Sequence, residues 1–175
     1  MSLFAAGMIT YRDATPDDAV LLSDLSRRSF AETFGHLYRR EDLDLFLDRL
    51  SPEAWGNELG DPAFTVRVAE DDGIAAGFAK LGPLALPVER PRPSAELRQL
   101  YVLAPWQGAG VAATLMDWVI AYTRAGGAAD LYLSVFIDNV RARRFYQRSG
   151  FERIGTYVFM VGNHADEDDL MRLAL

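Results

Sequence analysis

The chain has 175 residues, enough for one domain with a sizeable core. A net charge of −7 with no large basic tract argues against nucleic acid or an anionic membrane as partner, and no apolar run reaches membrane-spanning length. Cysteine is absent, which removes disulfides and thiolate chemistry.

The opening MSLFAAGM lacks the basic start and long apolar stretch of a signal peptide. Residues 1–7 are therefore expected to be a flexible tail before a domain at 8–175, and the cytoplasm is the expected compartment. MITYRDA alternates as a first strand. In TPDD, Thr15 can cap a helix, Pro16 suits its first turn, and Asp17 and Asp18 favour the positive end of its dipole. Leu21, Leu22 and Leu25 carry that helix toward Phe30 and Phe34. Leu43, Phe46, Leu47 and Leu50 mark a second helix, and Ser51-Pro52 starts a short one containing Trp55. FTVRVAED, the turn DDG and IAAGFAKL read as a hairpin. GPLALPVERPRPS is a proline-rich connection, AELRQLYV a strand and APWQGAG a loop. The helix VAATLMDWVIAYTRAG has Val111, Leu115, Val119 and Thr123 on one face and ends at Gly126-Gly127. LYLSVF is a strand, NVRARRFYQRSG a short helix, and FERIGTYVFMVG and DLMRLAL are two final strands. The expected fold is α/β (α+β): one domain with a mixed, mostly antiparallel sheet of six to seven strands and about four helices. The edge of the final strand offers a surface for a homodimer.

Gly108 and Gly110 lie just before a helix start, where backbone N–H groups have no intrahelical partner. Glycine there removes Cβ atoms and tolerates positive φ, which suits a phosphate cradle. Turn glycines with close helix–sheet packing explain the same residues. GAGVAA also satisfies the dinucleotide fingerprint, with Asp130 downstream. Against it, LAPWQ separates the glycines from the strand, Asp130 precedes the next strand, and several strands come before the motif. A P-loop is excluded, because no Lys-Ser or Lys-Thr follows the second glycine.

LYVLAPWQGAGVAATLM resembles motif A of the GCN5-related N-acetyltransferase family, with Gln107, Gly110 and Ala112 in the family's loop. NVRARRFYQRSGF is similar to its motif B, through Asn139, Ala142, Phe145, Tyr146, Gly150 and Phe151. SFAETFG, EDLDLFL, ELRQLYVL and VGNHADEDDLMRLAL resemble the bacterial spermidine/spermine N-acetyltransferase-like (PaiA-like) branch. That branch usually has Arg where this chain has Gln99.

The resemblance implies an acetyl-CoA-dependent N-acetyltransferase acting on a small primary amine, with a polyamine as the candidate acceptor, by direct attack in a ternary complex. The pyrophosphate is expected on the backbone of Gln107, Gly108, Ala109, Gly110, Val111 and Ala112. The pantetheine arm is expected beside Leu100, Tyr101 and Val102, with Asn139 on its other side and the Val102 N–H toward the thioester carbonyl. Arg141, Arg143, Arg144 and Arg148 make the motif-B helix basic, and Arg144 is the one assigned to CoA phosphate. An alkylamine must lose a proton before attack, at a cost of about 4.6 kcal/mol at pH 7 for a pKa of ~10.4. Glu96 is the expected general base, placed by even spacing on one face with Arg98, Leu100 and Val102 in the absence of a bulge. Tyr146 is the expected general acid toward the leaving sulfur. Phe30, Phe34 and Tyr38 are candidates for the acceptor wall, and the acidic run 165–169 is expected in a loop between the last two strands. No metal is expected, since His36 and His164 lack ligand spacing. Lys80 is assigned no role. The alternatives are a non-catalytic acetyl-CoA-binding sensor and a nucleotide-dependent oxidoreductase.

Overall fold

The computed structural model describes residues 7–89 and 92–175. The expected tail lies, apart from Gly7, outside the described residues. Seven strands form one sheet in the order β1-β2-β3-β4-β5-β7-β6. They are β1 (Ile9–Asp13), β2 (Thr65–Asp71), β3 (Ile74–Gly82), β4 (Ser94–Val102), β5 (Asp130–Phe136), β6 (Glu152–Val161) and β7 (His164–Ala174). The helices are α1 (Ala19–Phe34), α2 (Arg40–Asp48), α3 (Pro52–Leu59), α4 (Val111–Ala125) and α5 (Val140–Arg148). Among the described residues no helix is long and apolar enough to cross a membrane.

Local chemistry sets the helix starts. The Asp18 carboxylate accepts from the Thr15 N–H at 2.8 Å and is gripped by Arg12, so one 3-10 turn at Pro16–Asp18 leads into α1. Ser51 accepts from the Ala54 N–H at 3.2 Å and Pro52 opens α3.

The sheet separates two apolar layers. On one face, Val111, Leu115, Met116 and Val119 of α4 meet Leu97, Leu131, Leu133, Val135 and Met171. On the other, Leu22, Leu25 and Trp55 meet Val66, Val68 and Phe78, and Phe30 and Phe46 meet Val161.

Neighbouring strands are antiparallel except β4 and β5, which are parallel and pair over only Ser94–Glu96 and Asp130–Tyr132. Both strands continue beyond that point without pairing, so a wedge opens in the middle of the sheet.

Two sequence expectations are corrected here. The final strand has no free edge, because β7 is paired to β5 on one side and β6 on the other, and β6 is the edge strand. The acidic run 165–169 is not a loop, because β6 and β7 pair right up to Val161 and His164 and leave only Gly162-Asn163 as the turn. That turn docks on α2, where the Asp42 carboxylate accepts from the Asn163 N–H at 2.8 Å.

Gly77 faces Val102 across β3–β4, and a Cβ there would lie 2.5 Å from the Tyr101 carbonyl oxygen. Gly77→Ala is expected to cost about 1–3 kcal/mol through forced overpacking. The measurement is the urea midpoint, and an unchanged midpoint would contradict the close approach.

Candidate active site

The wedge is bordered by backbone on its β4 side. The Leu103 N–H donates to the Ala76 carbonyl at 2.9 Å. On an antiparallel ladder the alternate residues Leu100 and Val102 then turn their peptide groups away from β3, toward the opening. The Gln107 Nε2 donates to the Val102 carbonyl at 2.9 Å and its Oε1 accepts from Arg141, so Gln107 straps the end of β4 to α5.

Gly108 and Gly110 both take left-handed backbone, with φ +81 and +82, and a Cβ on either meets nothing within 4 Å. Conformation rather than crowding therefore demands glycine at both positions. Gly110 caps α4, whose first intrahelical bond runs from the Thr114 N–H to the Gly110 carbonyl. The N–H groups at 111–113 precede that bond and face an exposed loop at 107–110. Val111 is buried beneath the sheet and Ala112 is half-buried. Open space, free donors and a helix N-terminus fit an anionic pyrophosphate.

Asn139 caps α5, its Oδ1 accepting from the Ala142 N–H at 3.2 Å, and among the described residues its Nδ2 makes no hydrogen bond. Arg144 is exposed, one turn along α5 from Arg141. Arg143 is engaged elsewhere, with Asp169 at 2.8 Å. Tyr146 packs between Phe145 and Phe151 on the α4 side. Burial, and then the nearby Tyr101 phenol, raise its pKa, so it keeps its proton at neutral pH.

Glu96 departs from the even-spacing expectation. The β3–β4 register slips by one residue, with Lys80 opposite Gln99 but Leu81 opposite Leu97. Arg98 is the extra residue of this bulge. Leu97, Leu100 and Val102 consequently share the α4 face, while Glu96, Gln99 and Tyr101 lie on the other. The buried Glu96 carboxylate accepts from the N–H groups of Ala85 at 2.8 Å and Leu86 at 3.3 Å, and Arg98 lies 3.5 Å away. It ties down the proline-rich connection.

On that same face the strand pleat brings in residues that spacing did not single out. Asp166 and Asp168 alternate inward on β7 and are buried. Tyr38 donates its phenolic proton to Asp166, and His164 Nε2 lies 3.2 Å from the other Asp166 oxygen. Asp168 is held by a hydrogen bond from Ser134, and its pKa is raised to about 6, first by burial and then by Asp166 and Asp169. Tyr101 is raised to about 12, again mainly by burial, with Gln99 donating to it. Phe30, Phe34 and Tyr38 form a continuous aromatic wall, of which Phe30 is core and Phe34 reaches the end of β5 through Phe136. Four consecutive acids, Asp166 to Asp169, read as a solvated segment, and only strand pairing shows that Asp166 and Asp168 turn inward. Lys80 stands opposite Gln99 across β3–β4, buried against Trp55 and paired with Glu58.

The chain matches the family model described as "Acetyltransferase (GNAT) family" over residues 22–151. It belongs to the GNAT acetyltransferase family. An uncharacterized N-acetyltransferase of Mycobacterium tuberculosis is 33% identical over 155 residues, covering 88% of this chain and 96% of the relative. One from Lactobacillus delbrueckii subsp. lactis is 29% identical over 153 residues, covering 86% and 88%. Among solved structures, the PaiA N-acetyltransferase of Thermoplasma acidophilum in complex with coenzyme A superposes with a TM-score of 0.79 at 21% identity, covering 96% of this chain and 99% of that one. A ribosomal-protein-alanine N-acetyltransferase from Brucella melitensis reaches 0.67 at 25%, covering 95% and 99%. The GNAT chain is thus an N-acetyltransferase with acetyl-CoA as acetyl donor. Among the described residues no group of three or more His, Cys, Asp or Glu is placed to hold a metal ion.

Two outcomes follow from this geometry. Gly110→Ala is expected to weaken CoA binding and to lower stability by about 1–2 kcal/mol, since it strains a left-handed residue without any clash. Calorimetry with CoA and a urea titration read the two effects. Asp168 titrates higher in the folded chain than in the unfolded one, so it destabilises the fold increasingly as pH rises from about 4 through about 6. Asp168→Asn should therefore raise Tm relative to wild type above pH 6 and lose that advantage near pH 4. An equal difference at both pH values would contradict the raised titration.

Proposed function

We propose that this chain transfers the acetyl group of acetyl-CoA to a small primary amine of the polyamine class, by direct attack within a ternary complex. The observation that carries the reading is the split between β4 and β5, bordered by the peptide groups of Leu100 and Val102 and leading to the left-handed turn before α4. The free edge of β4 suits an extended amide-bearing arm, which pairs with it as an added strand would. In this reading Gln107, Gly108, Ala109, Gly110, Val111 and Ala112 receive the pyrophosphate on their backbone, with Arg144 near the phosphates. Leu100, Tyr101 and Val102 flank the arm, Asn139 offers its free Nδ2 from the other side, and the Val102 N–H faces the carbonyl under attack.

Tyr146 serves as proton donor to the departing sulfur. Its burial keeps the phenol protonated until a thiolate develops beside it. For the acceptor, an aromatic wall beside the buried carboxylates Asp166 and Asp168 supports a cationic amine with an aliphatic body. The net charge of −7 favours cation approach. The polyamine class rests on this charge pattern and on the PaiA-like resemblance.

Release of CoA thiol tests the reading directly, because the chain has no cysteine to react with the thiol reagent. Spermidine, spermine and short diamines are expected to turn over faster than peptides or neutral amines, and Tyr146→Phe to lower kcat about 10–100-fold with little change in KM. Equal rates with neutral or anionic amines would remove the polyamine assignment. No turnover with any amine would leave only binding of acetyl-CoA.

A further inference from the structure

We infer that Asp168 is the group that takes the proton from the acceptor ammonium, on the face of the sheet opposite α4, with Gln99 as a second acceptor for the same nitrogen. The inference rests on the transferase reading above and names the acid–base partner within it.

The buried carboxylates divide by partner. Asp130 has Arg92 and Arg172, Asp169 has Arg143 and Arg153, Glu96 has Arg98 and two backbone N–H groups, and Asp166 has Tyr38 and His164. Asp168 is 5% exposed and, among the described residues, has no cation paired with it and accepts from the Ser134 hydroxyl. A carboxylate buried without a cation either stays protonated or awaits one. A second, independent observation lies beside it. The Oε1 of Gln99 is fully buried and accepts no hydrogen bond, while the same side chain donates to Tyr101. Tyr101 in turn lies within the field of Asp168. Asp168, which lacks a cation, and the Gln99 oxygen, which lacks a donor, are linked through Tyr101, and both suit an ammonium group, which brings three donors and no acceptor.

The groups facing Asp168 are Tyr38 after α1, Tyr101 on β4, Ser134 on β5, Tyr157 opposite it on β6, and Asp166 and Asp169 on its own strand. None of these is a cation. His164 reaches this group only through Asp166. Across β5–β7, Asp168 stands level with Phe136, at the end of β5 where the wedge is open.

In the reaction, Asp168 takes one proton from the ammonium nitrogen. The freed lone pair forms the C–N bond at the thioester carbonyl, and the C–S bond then breaks. The departing sulfur takes a proton from Tyr146, which recovers one from the nitrogen as the amide forms. Asp168 returns its proton to water when the product leaves, so one proton is released per turnover. The raised titration of Asp168, at about 6, suits a base that is ionised at neutral pH yet binds a proton readily.

The test compares wild type with Asp168→Asn on an alkyl diamine, which is protonated at pH 7, and on an alkoxyamine, which is not. In wild type, kcat/KM for the diamine should rise to a plateau near pH 6. In the variant it should fall about 100-fold at pH 7 and climb steadily toward the diamine's own pKa. Turnover of the alkoxyamine should change only a few-fold. Asp166→Asn should raise KM and keep the plateau. Equal losses on both amines, a plateau that survives Asp168→Asn, or a plateau erased by Glu96→Gln would each overturn the inference. If wild type acetylates neither amine, the transferase reading fails separately, and carbon-13 carboxyl NMR then judges Asp168. A midpoint in the ordinary aspartate range overturns the ammonium contact. A midpoint near 6 that drops on adding the diamine supports it.

Discussion

Beyond Glu96 and Tyr132, two parallel strands in the middle of a sheet stop sharing hydrogen bonds, and the peptide groups of Leu100 and Val102 face the gap. Unmet backbone groups inside a protein are costly, so the surroundings must hold the strands apart. Gly77 lets β3 press against β4 at Val102, and β7 holds β5 from the far side by seven paired residues. Gln107 bridges the end of β4 to Arg141 on α5. The wedge is therefore a property of the whole sheet, and the loop before α4 only completes it.

The sheet also sorts the proton chemistry. Tyr146 belongs to the layer shared with α4, where apolar neighbours keep a phenol neutral. Asp168 belongs to the other layer, where aromatic rings and a second carboxylate keep an acid reluctant to ionise. One protein of this fold is named for a ribosomal protein's alanine, so the fold by itself does not fix the acceptor.

Much of this was legible in the sequence. The helix caps at Thr15 and Ser51, the hairpin of β2 and β3, and the glycine turn before α4 all announce themselves through local chemistry, which acts over a few residues. The bulge at Arg98 does not. It depends on which residues of β3 and β4 face each other, and without it Glu96 appears on the wrong face. The run 165–169 misleads for a related reason: four consecutive acids suggest solvent, yet pairing with β5 and β6 turns Asp166 and Asp168 inward. That Asp168 has a hydroxyl and no cation beside it is legible only in three dimensions, since it is defined by the cations that other buried carboxylates have.

Asp168 and Asp169 are neighbours on β7, and the pleat sends their side chains to opposite faces. Asp169 is clamped by Arg143 of α5, three residues before Tyr146. The two sides of the candidate site are thereby joined through one peptide unit and one ion pair, with no loop in the path. Such a crossbar restrains the separation of its two ends through an ion pair and one turn of helix. A change in the loops around the rim would alter what enters without touching the span from Asp168 to Tyr146.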